Sequence, residues 1–80
     1  MHELEVTKAI IKVAEEECLA NDIRAREIKI RLGTLTSYKS EPIRYYYDLL
    51  KTGSESLADS VLEFEGYEGD QVKVVRIRGE

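Results

Sequence analysis

The single histidine of this 80-residue sequence is His2, one residue from the start at Met1, and that adjacency defines the chemistry open to the chain. The α-amino group of Met1, the backbone nitrogen of His2 and the His2 imidazole can close adjacent chelate rings on one ion, and all-nitrogen square-planar or tetragonal sets suit Cu(II) or Ni(II). The amine titrates near pH ~8, so at neutral pH a metal displaces a proton that is only weakly held. Histidine is too bulky as a second residue for ordinary removal of the initiator methionine, so Met1 is expected to stay, and its loss or acetylation would destroy the chelate. Glu3 can cover an axial metal position, orient His2, or sit in a first helical turn where an acid favours the positive end of the helix dipole. The competing expectation for residues 1–3 is a frayed, solvated terminus.

The remaining residues exclude other chemistry. Cys18 is the sole cysteine, so no disulfide within the chain and no Cys-x-x-Cys zinc pair can form, and the thiol is expected to fill core space at the end of a first helix. With no second histidine, no nucleophile beside a base and no glycine-rich phosphate loop, the chain does not read as an enzyme. Its net charge is −4 and its basic residues alternate with acids or apolar positions, which argues against nucleic acid. No uninterrupted apolar run of about 18 residues and no secretion signal is present, so a membrane span is not expected and the cytoplasm is the default location. Eighty residues with 42% apolar content describe one domain with one modest core.

Several elements must position the N-terminal donors. Residues 3–20 lack Gly and Pro and place Val6, Ala9, Ile10, Val13, Ala14 and Cys18 on a broad helical face, with Glu5, Lys8, Lys12, Glu15 and Glu16 opposite. Asn21-Asp22 ends this helix, with Asn21 expected in the left-handed conformation. From Arg26 to Leu32 the period becomes two, Ile28, Ile30 and Leu32 alternating with Glu27, Lys29 and Arg31, as in a strand covered on one side. Ser40 then supplies an N-cap, followed by Glu41 and Pro42 in the first turn of a second helix that runs to Gly53. Ile43, Tyr46, Tyr47 and Leu50 make its inward face. Tyr45 falls on the flank with Leu49, where it could rim a protein interface. Residues 61–65 and 71–78 read as strands joined across Gly66–Asp70, and the pair reads as a hairpin. Val72 and Val74 hold one phase but Val75 and Ile77 the other, so either a bulge shifts the register or both faces are partly covered. The order helix, strand, helix, strand, strand is an α+β fold with two helices on a small sheet.

Met1-His2-Glu3-Leu4 entering a helix, Ile28-Lys29-Ile30-Arg31-Leu32-Gly33, Pro42 with Arg44-Tyr45-Tyr46-Tyr47-Asp48-Leu49-Leu50 and Gly53, and Leu62-Glu63-Phe64-Glu65 follow one another in an order that resembles the HypA family of nickel metallochaperones. The resemblance implies a mixed three-stranded sheet with two helices as a nickel-binding domain. It also implies that Ni(II) is held at the extreme N-terminus through the His2 imidazole and neighbouring main-chain nitrogens, a set that maps onto Met1, His2 and Glu3. It implies a carrier that hands Ni(II) to a maturation GTPase or to hydrogenase or urease assembly proteins. Family members carry a zinc domain with two Cys-x-x-Cys pairs between the last two strands. Here residues 66–70 stand in its place, so the chain is expected to be one HypA-like domain over residues 1–80 that takes nickel but not zinc.

Two functions follow from the resemblance: a minimal nickel carrier, or an interaction or regulatory module descended from the same fold that no longer delivers metal. A three-stranded sheet leaves two edge strands, so a homodimer through a strand or exchanged elements is compatible with the sequence, with Lys29, Arg31, Arg76 and Arg78 available to protect an open face.

Overall fold

The computed structural model describes residues 2–80; Met1 lies outside the described residues. The elements are α1 (Glu3–Asn21), β1 (Ala25–Gly33), α2 (Ser40–Leu50) with a single 3-10 turn at Lys51–Gly53, β2 (Val61–Tyr67) and β3 (Val72–Gly79). This is the α+β order expected from the periodicities. No helix among the described residues is long and apolar enough to cross a membrane.

Helix α1 meets the core through a narrower stripe than its apolar residues suggest. Glu3, Thr7, Ile10, Ala14 and Cys18 are buried, at spacings of three and four that keep them on one line of the helix. Ala9 is exposed and Val13 is 45% exposed, which corrects the broad apolar face read from the sequence. Both line a groove with Val6, Tyr38, Val72 and Val74, because the small sheet fills only the space under the central stripe. The left-handed residue that ends α1 is Asp22 (φ 54°), not Asn21; its N–H and that of Ile23 close back on Leu19 and Cys18 carbonyls. A short polar side chain tolerates this conformation, and the cap satisfies carbonyls that the helix leaves open.

The sheet has the order β2-β1-β3, with β1 central, parallel to β2 and antiparallel to β3. The expected hairpin is therefore overturned: β2 and β3 run antiparallel but β1 lies between them. Residues 68–71 must cross about 10 Å, two strand spacings, and four residues have the reach to do so. The crossing passes directly over the end of β1. Gly33 N–H donates to Gln71 O (2.9 Å), Thr34 N–H to Tyr67 O (2.8 Å) and Leu35 N–H to Gly69 O (2.9 Å). A Cβ on Gly33 would lie 2.3 Å from the Gly69 carbonyl oxygen, so only glycine permits this approach.

The phase conflict in the last strand resolves as a bulge. Val74 pairs with Ile30 and Arg76 with the adjacent Lys29, leaving Val75 as the extra residue. Val72, Val74 and Ile77 then all pack toward the helices while Val75 is exposed. The core beneath the helices centres on Ile28, Ile30, Ile43, Tyr47, Leu57 and Leu62. In α2, Ile43 and Tyr47 are buried, Tyr46 is half-buried, and Tyr45 and Leu49 are exposed on the flank. After Leu50 the helix tightens into the 3-10 turn, which ends at Gly53 as expected. The opposite face of the sheet carries crossed ion pairs: Lys29 with Glu63 and Glu65, Arg31 with Glu65, and Arg78 with Glu27. This solvated lattice covers the open face with charge, as the basic residues of β1 and β3 suggested, although Arg76 has no ion-pair partner among the described residues.

Candidate metal centre

Helix α1 begins directly after His2, which occupies the N-cap position with φ −122° and ψ 24° and contributes no side-chain cap. Its carbonyl accepts the first helical bond, from Val6 N–H at 3.1 Å, and its side chain is exposed. The first N–H groups of a helix have no intrahelical acceptor, so the main-chain nitrogens of His2 and Glu3 lie at the start of α1 without a helical role. That is the location a chelate built on consecutive backbone nitrogens requires. Amide nitrogens coordinate a divalent ion as anions, and the positive end of the helix dipole favours negative charge there. With two amides deprotonated, the metal–ligand unit would be close to neutral.

Glu3 sits in the first turn of α1, where an acid favours the helix dipole, and its side chain also makes a contact that the sequence did not indicate. The residue is 6% exposed, and its Oε2 accepts the backbone N–H of Lys39 at 3.3 Å. Lys39 is the N-cap residue of α2 and makes no side-chain cap, so the carboxylate reaches across 36 positions to the start of the second helix. This corrects the expectation for Ser40, which is already the first helical residue. One oxygen of the Glu3 carboxylate thus ties the start of α1 to the start of α2. Thr7, fully buried, donates its hydroxyl to the Glu3 carbonyl at 2.7 Å. Periodicity gave no signal for a buried Glu3 or Thr7, because both are polar; the only hint was their spacing on the line of Ile10, Ala14 and Cys18.

No cluster of three His, Cys, Asp or Glu side chains gathers among the described residues. A metal at this end therefore depends on the one imidazole and on main-chain donors. Cys18 lies far along α1 from His2, buried near Ala25 and Ser56, and burial pushes its thiol up from the ordinary range. It is core filler, as expected. Glu41 is exposed in the first turn of α2, where its charge suits the helix dipole.

Fold and site together define a small α+β domain, two helices on a mixed three-stranded sheet, with an exposed imidazole at the start of its first helix. A family model described as "Hydrogenase/urease nickel incorporation, metallochaperone, hypA" matches residues 1–74, and the chain belongs to the HypA family. Two curated relatives are similar to it. The hydrogenase maturation factor HypA of Azotobacter vinelandii is 29% identical over 55 residues, covering 68% of this chain and 49% of that protein. The hydrogenase maturation factor HypA of Caldanaerobacter subterraneus subsp. tengcongensis is 31% identical over 51 residues, covering 62% of this chain and 45% of the relative. The chain thus spans about half the length of the curated relatives it matches. The solution structure of the Ni metallochaperone HypA from Helicobacter pylori superposes with a TM-score of 0.77 at 15% identity, over 95% of this chain and 72% of that one. That likeness establishes the fold, including two helices on a three-stranded sheet.

Proposed function

We propose that this chain is a nickel carrier that binds Ni(II) through the Met1 amine, the His2 imidazole and the main-chain nitrogens of His2 and Glu3, and delivers it for maturation of a hydrogenase or urease. The observation that carries the reading is the exposed His2 at the first position before α1, in a chain of the HypA family. Membership suggests the cargo and the backbone geometry is compatible with it: helix-start nitrogens with no intrahelical acceptor, an imidazole in solvent, and a neighbouring acid buried against the start of α2. The recipients are a maturation GTPase or other assembly proteins of the nickel enzyme, and the chain acts in the cytoplasm as a carrier without catalysing a reaction. Nickel is its metal and zinc is not, because the chain holds a single buried cysteine and only four residues separate β2 from β3.

Calorimetric titration of the full chain, its Met1 verified by mass spectrometry, is expected to show about one Ni(II) per chain. His2→Ala, or acetylation of Met1, is expected to abolish the heat. Binding by His2→Ala equal to that of the parent chain overturns the assignment.

The short β2–β3 connection favours a second reading, an interaction or regulatory module on the same fold that does not deliver metal. It predicts negligible heat in the parent titration together with a stable complex with maturation proteins in a pull-down.

A further inference from the structure

We propose that Thr7 is a positioning residue for the N-terminal metal chelate, acting through the Glu3 carbonyl. The inference rests on the reading of residues 1–3 as nickel donors.

Thr7 has no exposed surface and sits on the buried stripe of α1, one turn after the candidate donors. A hydroxyl there must find a partner, and it donates to the carbonyl oxygen of Glu3 at 2.7 Å, four residues back. Glu3 is held a second time, from its side chain, by the N–H of Lys39. Residue 3 is therefore pinned through its carboxylate and through its carbonyl, on either side of its α-carbon. Its main-chain nitrogen, bonded to that same α-carbon, inherits the fixed position. The peptide linking it to His2 is planar, so the His2 carbonyl and α-carbon, which join the two donors, are placed with it. Ligand atoms ordered before the ion arrives need not be ordered by it, which raises affinity and slows release.

A purely structural role for Thr7 predicts something different. The Glu3 carbonyl also receives the helical N–H of Thr7, so removing the hydroxyl orphans no buried acceptor. Thr7→Val keeps the β-branched shape and removes a buried polar group, so the fold is expected to be unharmed or slightly more stable, with metal binding unchanged if packing is all that Thr7 provides.

The test is Ni(II) titration of the full chain, together with the rate at which EDTA strips the metal and the circular dichroism of the nickel d–d bands. Thr7→Val is expected to weaken binding several-fold and by no more than about ten-fold, the equivalent of one hydrogen bond on the Glu3 carbonyl. It should also speed release and alter the d–d signal, with no loss of thermal stability, and Thr7→Ser should restore all three. Parental affinity and release in Thr7→Val, or a Thr7→Ser variant as weak as Thr7→Val, overturns the proposal while leaving the nickel reading intact. Absence of nickel binding in the parent chain, or undiminished binding by His2→Ala, is a separate result that removes both.

Discussion

Replacing Gly33 by alanine is expected to destabilise the domain severely, because the crossing of residues 68–71 rests on that α-carbon. The new methyl would stand 2.3 Å from Gly69 O, 2.6 Å from Gly69 C and 3.0 Å from Asp70 N, all backbone atoms that cannot rotate aside. Relieving this overlap means lifting the crossing, and overpacking alone costs about 1–3 kcal/mol. The same movement stretches the bonds from Gly33 N–H to Gln71 O and from Leu35 N–H to Gly69 O. Each contributes about 1 kcal/mol. A loss of roughly 3–5 kcal/mol is a large share of the roughly 4–12 kcal/mol expected for 80 residues. Gly66→Ala, on β2 just before the crossing, is the matched control: nothing lies within 4 Å of its added Cβ, so its effect should stay within about 0.5 kcal/mol of zero. Urea unfolding followed by far-ultraviolet circular dichroism reads both variants, with the slope unchanged and the midpoint lowered only for Gly33→Ala. If Gly33→Ala unfolds within about 0.5 kcal/mol of the parent, the crossing does not lie over β1 and a hairpin topology returns.

Tyr47 and Cys18 give two further expectations. The Tyr47 hydroxyl is buried against Ser60 Oγ, and desolvation pushes its pKa from 10 up to about 12. The unfolded chain releases this proton first, so the contribution is complete below pH about 10 and is lost progressively as pH rises toward about 12, by roughly 3 kcal/mol in all. Denaturant titrations across that window should show a fall that Tyr47→Phe flattens, and an equally steep fall in the variant would refute the assignment. Cys18, buried with its thiol shifted upward, should react with a disulfide reagent only in denaturant, and rapid labelling of the native protein would contradict its place in the core.

How much was legible in the sequence follows from the range of each signal. The period of 3.6 in residues 3–20 and the period of two in residues 26–32 come from side-chain direction within one element, so α1 and β1 emerged within a residue or two of their bounds. The alternation of Ile28, Ile30 and Leu32 chose the buried face of β1 for the same reason. The candidate donors were readable because Met1, His2 and Glu3 are joined by covalent bonds, and no folding is needed to make them neighbours. The conflicting phases of Val72, Val74, Val75 and Ile77 announced an irregularity without saying which kind.

Strand order was not legible, since alternation states which face a strand buries and is silent about which strand lies beside it. Antiparallel β2 and β3 with a short link look like a hairpin until β1 is inserted between them, and it is Gly33, whose α-carbon admits the crossing chain, that allows the insertion. The inward turn of Glu3 and Thr7 was equally hidden. A carboxylate and a hydroxyl enter a core only when partners meet them there, and those partners, the N–H of Lys39 from another helix and the carbonyl of Glu3 itself, are set by packing. By itself the sequence determined the elements, the charged and apolar faces and the chemistry of the first residues, because those depend on local stereochemistry and bonding. Tertiary structure alone decided the neighbours of β1, the bulge at Val75 and the contact of Glu3 with the start of α2, because each depends on contacts between segments distant in the chain.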